Sequence, residues 1–191
     1  GVDYNCKLKG KIRLKGLKST NPVAVGDKVN FEVTKDGDEA IGIITDFEDR
    51  KNYIIRKSVN LSKQTHIIAA NVDLAFLVIT LNNPETTTIF IDRVLVSSEA
   101  YDVTTILLFN KLDTLDKNEF GELKYLAEIY RDIGYHCIGI SASTGKNLDQ
   151  VKDLMIDKVS VFAGHSGVGK SSIINAMDDN INIKTKAISE Q

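Results

Sequence analysis

The sequence predicts a small all-β barrel followed by an α/β domain built on a mainly parallel sheet. Up to residue 60, short strand-like segments are separated by turn residues, which is typical of a small barrel or sandwich. After Asn71, short apolar segments alternate with amphipathic ones. That β-α-β-α order is typical of a parallel sheet covered by helices on both faces.

The barrel begins with residues 5–15, where apolar and basic side chains alternate. A period of two predicts a strand with one buried face, which includes Cys6 and Leu8, and one exposed face. The exposed face would be entirely cationic, and like charges about 6.6 Å apart repel one another unless an anionic polymer lies against them. We therefore predict contact with nucleic acid, and a solvated edge strand protected by its lysines is the alternative. The cationic residues are Lys7, Lys9, Lys11, Arg13 and Lys15.

Further short strands complete the predicted barrel. They cover residues 28–33, 40–47 and 53–56. Four strands in sixty residues suit a five-stranded oligonucleotide-binding (OB) barrel that has lost its first strand. Arg50, Lys51, Arg56 and Lys57 are predicted to add to its basic surface.

Charge divides the chain in the same way as the pattern does. Residues 1–60 contain 12 basic and 9 acidic side chains, whereas the rest of the chain contains 12 and 17. The two parts should therefore meet different partners. We assign residues 1–60 to an OB-type RNA-binding domain, 61–71 to a linker and 72–191 to the α/β domain.

The composition predicts a cytoplasmic protein without a membrane partner. The longest clear apolar run, residues 74–81, is far shorter than the ~20 residues of a membrane-spanning helix. No signal peptide is visible. Cys6 and Cys137 lie far apart without other ligands at metal-binding spacing, so we interpret them as buried or half-buried thiols in a reducing compartment.

The α/β domain alternates strands and helices. Strands are predicted at residues 74–80, 104–109, 135–140 and 159–163, and helices at 88–101, 116–133 and 147–156. The run Thr86 to Thr88 is predicted to start the first helix. Parallel strands place their carboxyl ends at one edge of the sheet, and ligands of α/β proteins bind there.

The fourth strand leads into a G-x-x-x-x-G-K-S segment that opens a further helix. Its glycines let successive backbone N–H groups surround a phosphate, and the helix adds the positive end of its dipole. Lys170 would reach the β- and γ-phosphates and the Ser171 hydroxyl would bind magnesium, whereas a glycine-rich turn that binds nothing is the alternative. His165 is interpreted as a loop residue that offers its backbone rather than as a base. The predicted phosphate-binding residues are Gly164, His165, Ser166, Gly167, Val168, Gly169, Lys170, Ser171 and Ser172.

Polar segments follow two other strands, N-K-x-D after the second and S-A-S after the third. Guanine presents N1–H and an amine as adjacent donors, and the Asp113 carboxylate can accept from both. Adenine lacks that amine, so the carboxylate would stay unpaired, and discrimination on the order of 10⁴ can result. An aspartate that only caps a turn is the alternative.

Several residues of these two segments have a predicted role at the base. Asn110 and the backbone N–H of Ala142 would hold the O6 side of guanine. Lys111 would flank the base, and Ser141 would steady the carboxylate. The predicted base-binding residues are Asn110, Lys111, Asp113, Ser141, Ala142 and Ser143.

N-K-x-D, S-A and then the phosphate loop form the motif set of the small GTPase fold, with the loop moved from first place to last. The sequence therefore resembles a circularly permuted GTPase. With the basic barrel in front, it is similar to the ribosome small subunit-dependent GTPase family, also called YjeQ. The resemblance implies hydrolysis of GTP with magnesium, with Lys170 as the catalytic residue of this chain.

The resemblance also implies partners. The barrel would dock on the rRNA of the small ribosomal subunit late in its maturation, and a zinc-binding domain would stand at the carboxyl end. We expect a monomer that binds no DNA. The zinc ligands and the D-x-P-G switch of the family do not occur up to Gln191.

Two other interpretations stay open. The chain could be a GTP-gated RNA-binding module in which hydrolysis is incidental, or an ATP-dependent P-loop enzyme. Some permuted GTPases bind potassium through an Asn where this chain has Gly167, which disfavours a potassium site and the related families that act on the large subunit.

Overall fold

The computed structural model describes residues 2–9, 22–36, 39–57, 65–178 and 180–183. The chain forms two compact units that divide after Val72. Among the described helices, none is both long and apolar enough to cross a bilayer.

The described residues of the first unit form strands in two small sheets. Its strands are β1 (Cys6–Leu8), β2 (Val29–Asp36), β3 (Glu39–Phe47), β4 (Tyr53–Lys57) and β5 (Thr65–Ala70). The first sheet has the order β1-β3-β2, with β1 parallel and β2 antiparallel to β3. In the second sheet β4 and β5 are antiparallel, and a bridge between Val25 and Ala69 adds a parallel contact to β5. The predictions for β2, β3 and β4 are confirmed within three residues at each end.

Strand β1 corrects the prediction of a buried face. All three of its residues are exposed, Leu8 by 41%, and the Cys6 thiol is exposed as well. Among the described residues this strand pairs with β3 alone, so backbone hydrogen bonds hold it there without burial of its side chains. Lys7 and Lys9 are exposed as predicted. The predicted continuation over residues 10–15 lies outside the described residues.

Strand β5 corrects the assignment of residues 61–71 to a linker. Residues 65–70 form a strand along β4, and Ile67, Ala69 and Ala70 are buried. The buried side chain of Asn52 accepts from the backbone N–H of Val72 and donates to its carbonyl, both at 2.8 Å. Residues up to Val72 therefore belong to the first unit, because burial and hydrogen bonds join them to it.

Arg50 does not belong to the basic surface for which it was predicted. Its guanidinium makes two hydrogen bonds of 2.6 Å to the carboxylate of Asp27, and the two side chains are only 7% and 4% exposed. Burial opposes ionisation of Asp27, but hydrogen bonds from Arg50 and from the Ala24 N–H outweigh it and hold the pKa of Asp27 below its usual value. Arg50 therefore ties two segments of the first unit together.

The second unit contains one parallel sheet with the strand order β8-β7-β6-β9. Its strands are β6 (Leu74–Ile79), β7 (Thr105–Phe109), β8 (His136–Gly139) and β9 (Ser160–Ala163). Its helices are α1 (Thr88–Ala100), α2 (Lys117–Asp132), α3 (Leu148–Met155) and α4 (Lys170–Met177). Each element agrees with its prediction within about a residue at either end, and the predicted parallel sheet is confirmed.

Helices cover both faces of this sheet because successive side chains of a strand point to opposite sides. Phe76 and Val78 face one core, to which α3 contributes Val151 and α4 contributes Ile173. A second core lies on the opposite face of the sheet, between the strands and helices α1 and α2. Its buried side chains include Leu77, Ile79, Ile91, Leu95, Leu107, Phe109, Leu123 and Ala127. The central strands β6 and β7 are buried along their whole length. Their carboxyl ends are therefore held rigidly at one edge, where the polar motifs begin.

Side chains define the starts of the two long helices. The Thr87 hydroxyl accepts from the Phe90 N–H at the start of α1, as the threonine run predicts. Asp116 accepts from the Glu119 N–H, and the Glu119 carboxylate accepts in return from the Asp116 N–H, which forms a capping box before α2.

Candidate nucleotide-binding site

The phosphate loop connects β9 to α4, and three of its glycines have positive φ. Gly164, Gly167 and Gly169 have φ of 138°, 85° and 100°. A Cβ on Gly164 would lie 2.6 Å from the Val78 carbonyl oxygen, and one on Gly169 would lie 2.4 Å from the side-chain nitrogen of Asn110. Glycine is required at both positions because of the backbone conformation and because of these close approaches.

Lys170 folds back over this loop from the first turn of α4. Its Nζ donates to the carbonyl oxygens of Gly164 at 2.8 Å and His165 at 2.6 Å. Burial lowers the pKa of the Lys170 ammonium from its ordinary value. The ammonium is therefore held at the mouth of the loop, where a bound phosphate would offset the cost of its burial.

The other predicted phosphate-binding residues surround this point. Ser166 is exposed, Val168 is fully buried in the core, and Ser171 and Ser172 follow Lys170 in the first turn of α4. Val168 thus anchors the loop to the core, whereas Ser166 lies on its exposed side. Their contacts to a phosphate remain predictions.

The Asp113 carboxylate is held by two serines from the S-A-S segment. Ser141 donates to Oδ1 and Ser143 donates to Oδ2, each at 2.6 Å, and the two hydroxyl oxygens lie 3.0 Å apart. These hydrogen bonds, that from Ser141 foremost, hold the pKa of Asp113 below its ordinary value. Ser141 is fully buried, whereas Asp113 is exposed. The result is an ionised carboxylate with a fixed orientation that a base can reach.

Asn110 joins the three motifs. Its side-chain amide donates to the Val168 carbonyl of the phosphate loop at 2.8 Å and accepts from the Ala142 N–H at 3.1 Å. Only 2% of its surface is exposed. Asn110 and the Ala142 N–H thus have protein partners here, and their assignment to the O6 side of guanine stays a prediction. What the geometry adds is a connection between the base segments and the phosphate segment.

Lys111 lies beside the carboxylate in a left-handed backbone conformation, with φ of 67°. Its Nζ donates to the carbonyl oxygen of Asn83, in the loop between β6 and α1. Burial lowers the pKa of Lys111, although the charge of Asp113 opposes the shift. Its stem is therefore fixed next to the place where a base would lie.

Sequence reasoning missed Asn83 and Phe90, two residues that meet the predicted site. Asn83 contacts Lys111, and the ring of Phe90 lies against the ring of His165 with centroids 3.8 Å apart. Both belong to the segment that follows the carboxyl end of β6. A signal was present, because that end lies at the same edge of the parallel sheet as the other motifs.

The loop fits a magnesium ion that binds together with a nucleotide. Magnesium takes oxygen ligands and is usually held by one or two protein oxygens plus phosphates. The Ser171 hydroxyl is such an oxygen, next to Lys170, which is predicted to contact the phosphates. Over the described ranges, no group of three or more His, Cys, Asp and Glu side chains could hold a metal by itself. Zinc ligands beyond Gln191 stay a prediction.

A separate cavity of about 550 Å³ opens at the amino ends of β7 and β8. It is lined by residues such as Glu99, Asp102, Tyr135 and His136 and contains none of the motif residues. The chemistry of the motifs therefore lies at the opposite end of the strands.

The fold and site together define a class of protein, the circularly permuted P-loop GTPases, in which the phosphate loop follows the base-binding segments. A family model described as RsgA GTPase matches residues 47–191, and one described as RsgA N-terminal domain matches residues 1–43. The chain belongs to the RsgA GTPase family. The predicted fold class, an OB-type barrel followed by a permuted GTPase domain, and the family resemblance are thereby confirmed.

Relatives match along the whole chain. A protein of Christiangramia forsetii is 60% identical over 191 residues, which are all of this chain and 61% of the relative. A protein of Flavobacterium johnsoniae is 54% identical over 191 residues, all of this chain and 59% of that relative. Both are named small ribosomal subunit biogenesis GTPase RsgA. The chain thus spans about three fifths of the length of these relatives.

Two solved structures are similar as well. The crystal structure of YjeQ from Thermotoga maritima superposes with a TM-score of 0.72 and 36% identity, covering 95% of this chain and 59% of the other. The structure of YloQ, described as a circularly permuted GTPase, has a TM-score of 0.58 and 31% identity, with 86% and 53% of the two chains covered.

Proposed function

We propose that the protein binds GTP and GDP and hydrolyses GTP during late maturation of the small ribosomal subunit. The observation that carries the proposal is the Asp113 carboxylate, fixed by Ser141 and Ser143 at the sheet edge that also carries Lys170. A carboxylate in that place suits the paired donors of guanine and leaves adenine unmatched. The ribosomal part is supported by the names of the relatives.

In this proposal the chain's own residues bind and orient the nucleotide. Asp113 accepts from guanine, and the loop N–H groups and Lys170 hold the phosphates. Lys170 is the catalytic residue, because its charge meets the negative charge that develops as the terminal phosphate leaves. Magnesium, held through Ser171, supplies additional positive charge to the phosphates when it is bound.

The first unit is proposed to dock on the rRNA of the small subunit. Lys7 on β1 and Lys9 just after it are exposed, and Lys11, Arg13 and Lys15 continue the same basic alternation in the sequence. Phosphate contacts by such side chains provide affinity without reading sequence. We further propose a cytoplasmic monomer that binds neither DNA nor membranes, and one zinc ion in a domain beyond Gln191.

Exchange of Asp113 for Asn tests the base assignment. Xanthine carries an oxygen where guanine has its amine, and an amide can donate to that oxygen whereas a carboxylate cannot. We expect the Asp113→Asn variant to prefer XTP to GTP in both binding and hydrolysis. Asp132→Asn, an exposed change at the end of α2, is the matched control and should keep the preference for GTP. An Asp113→Asn variant that still prefers GTP would show that another residue reads the base, and ATP competing equally with GTP would favour the ATP-dependent alternative.

A second experiment separates hydrolysis from simple gating by GTP. Small subunits with bound protein are challenged with GTP and with a non-hydrolysable analogue, and the released protein is measured. If hydrolysis drives release, only GTP releases the protein. Equal release by both nucleotides would instead support the GTP-gated RNA-binding module.

A further inference from the structure

The ring of Phe90 lies directly against the second residue of the phosphate loop. The centroids of the Phe90 and His165 rings are 3.8 Å apart, and the ring planes differ by 31°. Phe90 belongs to the first turn of α1, and His165 follows the first glycine of the loop. Helix α1 therefore contacts the phosphate loop through a pair of flat side chains.

Phe90 is itself held by the core and by the start of α1. Its side chain packs against the core between the sheet, α1 and α2. Its backbone N–H donates to the Thr87 carbonyl at 3.0 Å, and the Thr87 hydroxyl lies 3.4 Å from the same nitrogen. The ring is thus held by a packed core and a capped helix start, and rings held in this way have few alternative positions.

His165 in turn meets the lysine of the loop through its backbone. The His165 carbonyl accepts from the Lys170 Nζ at 2.6 Å, the shorter of the two hydrogen bonds that hold this ammonium. Contact with Phe90 limits the rotamers open to the His165 side chain, and the carbonyl of the same residue accepts from the ammonium. The path from the core to the ammonium therefore runs from Phe90 through His165 to Lys170.

We propose that Phe90 is a positioning residue for Lys170, which acts by stacking on His165 and so holds the phosphate-binding ammonium in place before the nucleotide arrives. This inference rests on the proposed function of the loop. Groups fixed in advance lose less freedom when the ligand binds, so the benefit should appear as affinity for the phosphates that Lys170 reaches. Affinity for the base and the first phosphate should be largely unaffected.

The test compares GDP with GMP, which lacks the β-phosphate. Affinities of the full-length protein are measured by displacement of a fluorescent GDP analogue. We expect Phe90→Ala to weaken GDP binding about tenfold, within the range of coupling between residues in contact, and to leave GMP binding nearly unchanged. Phe90→Tyr keeps the ring and should keep both affinities. Ile89→Ala, a change at the exposed neighbour on α1, is the matched control.

A double-mutant cycle tests the path through His165. If Phe90 acts through that ring, Phe90→Ala should cost little further GDP affinity once His165→Ala is present. Additive losses, or an equal loss of GDP and GMP affinity, would overturn the proposal. Phe90→Leu, which keeps apolar volume for the core but removes the ring face, should show the same selective loss if Phe90→Ala fails to fold. A parent protein that binds no GDP would contradict the proposed function, whereas an unchanged Phe90→Ala variant of a GDP-binding parent would contradict only this inference.

Discussion

At the scale of single residues, Asp113 and Lys170 show opposite effects of their surroundings on ionisation. Hydrogen bonds from Ser141 and Ser143 favour the ionised form of Asp113, whereas burial disfavours the ionised form of Lys170. An anionic phosphate would reverse the second effect, because charge-assisted hydrogen bonds are about twice as strong as neutral ones. Asp113 is therefore ionised before a ligand binds, whereas a bound phosphate would favour the ionised form of Lys170.

We expect Lys170→Ala to weaken binding of both GTP and GDP by about 10- to 100-fold, as the loss of a hydrogen bond to a charged group implies. Calorimetry measures both affinities. Lys124→Ala, which changes a 67% exposed lysine on α2, should leave them unchanged. An unaltered GDP affinity in Lys170→Ala would remove this residue from the site.

A pH experiment tests the second serine. The folded pKa of Asp113 is depressed, so the carboxylate stays ionised below its ordinary pKa of about 3.9 and is protonated only as the pH falls through the lower, folded value. Ser143→Ala removes one of the causes and should move the acidic loss of GDP affinity to higher pH. GDP binding is measured at a series of pH values below 6.

Thr144→Ala is the neighbouring control for this experiment. The Thr144 backbone N–H, not its hydroxyl, donates to Ser141, so the profile of this variant should match that of the parent. Coincident profiles for Ser143→Ala and the parent would mean that Ser143 does not affect the charge of Asp113.

At the scale of elements, the capping box at the start of α2 is expected to stabilise the protein measurably. Asp116→Ala removes the carboxylate that accepts from the Glu119 N–H and should lower the free energy of unfolding by about 1 kcal/mol. Urea denaturation of the second unit measures this change. Lys117→Ala, at the first helical position, should stay within about 0.5 kcal/mol of the parent. Equal stabilities of Asp116→Ala and the parent would contradict the importance of the cap.

The sequence predicted the second unit better than the first for a physical reason. Strands β6 and β7 are buried on both faces, so continuous apolar runs mark them, and the amphipathic face of α2 marks the helix. Strand β5 was assigned to a linker because residues 58–70 are polar and then only weakly apolar, so no clear strand pattern marks the segment that pairs with β4. For β1 the prediction of a buried face was wrong, because its side chains alternate between apolar and basic although all of them are exposed.

The site divides in the same way. Residues within a short sequence motif were predicted from the motif, as with Asp113 in N-K-x-D and Lys170 in the phosphate loop. Contacts between distant segments were not, as with Asn83 against Lys111 or Phe90 against His165. Spacing within a motif indicates chemistry, whereas these contacts depend on how the loop after β6 meets two other loops.

At the scale of the whole molecule, the two units are proposed to meet different partners. Replacing Lys9 and Lys11 by Gln should weaken binding to the small subunit and make the remaining affinity less dependent on salt. Each lost phosphate contact removes roughly one unit of logarithmic slope, slightly less on single strands. GDP affinity and stability should hardly change. Pelleting with small subunits over a series of salt concentrations measures the slope.

The matched control for this double variant is Lys124→Gln with Lys152→Gln, which removes the same charge from exposed positions of the second unit. If the two double variants show the same slope as the parent, the basic strand is a solvated edge that keeps the protein soluble. A reduced slope in the first alone would support docking through the first unit.

The amide of Asn110 has a direction, since one end accepts and the other donates. It accepts from the N–H of Ala142 and donates to the carbonyl of Val168, which is 58 residues further along the chain from Asn110. An aspartate of the same shape could serve the first partner but not the second. The Ala142 amide can exchange with solvent only when its hydrogen bond to Asn110 breaks. Because the same side chain also bonds to Val168, the exchange rate of Ala142 should report on motion of the phosphate loop. Restraint of the loop by bound phosphates alone should therefore slow deuterium uptake at the Ala142 amide, without any contact between a base and that amide.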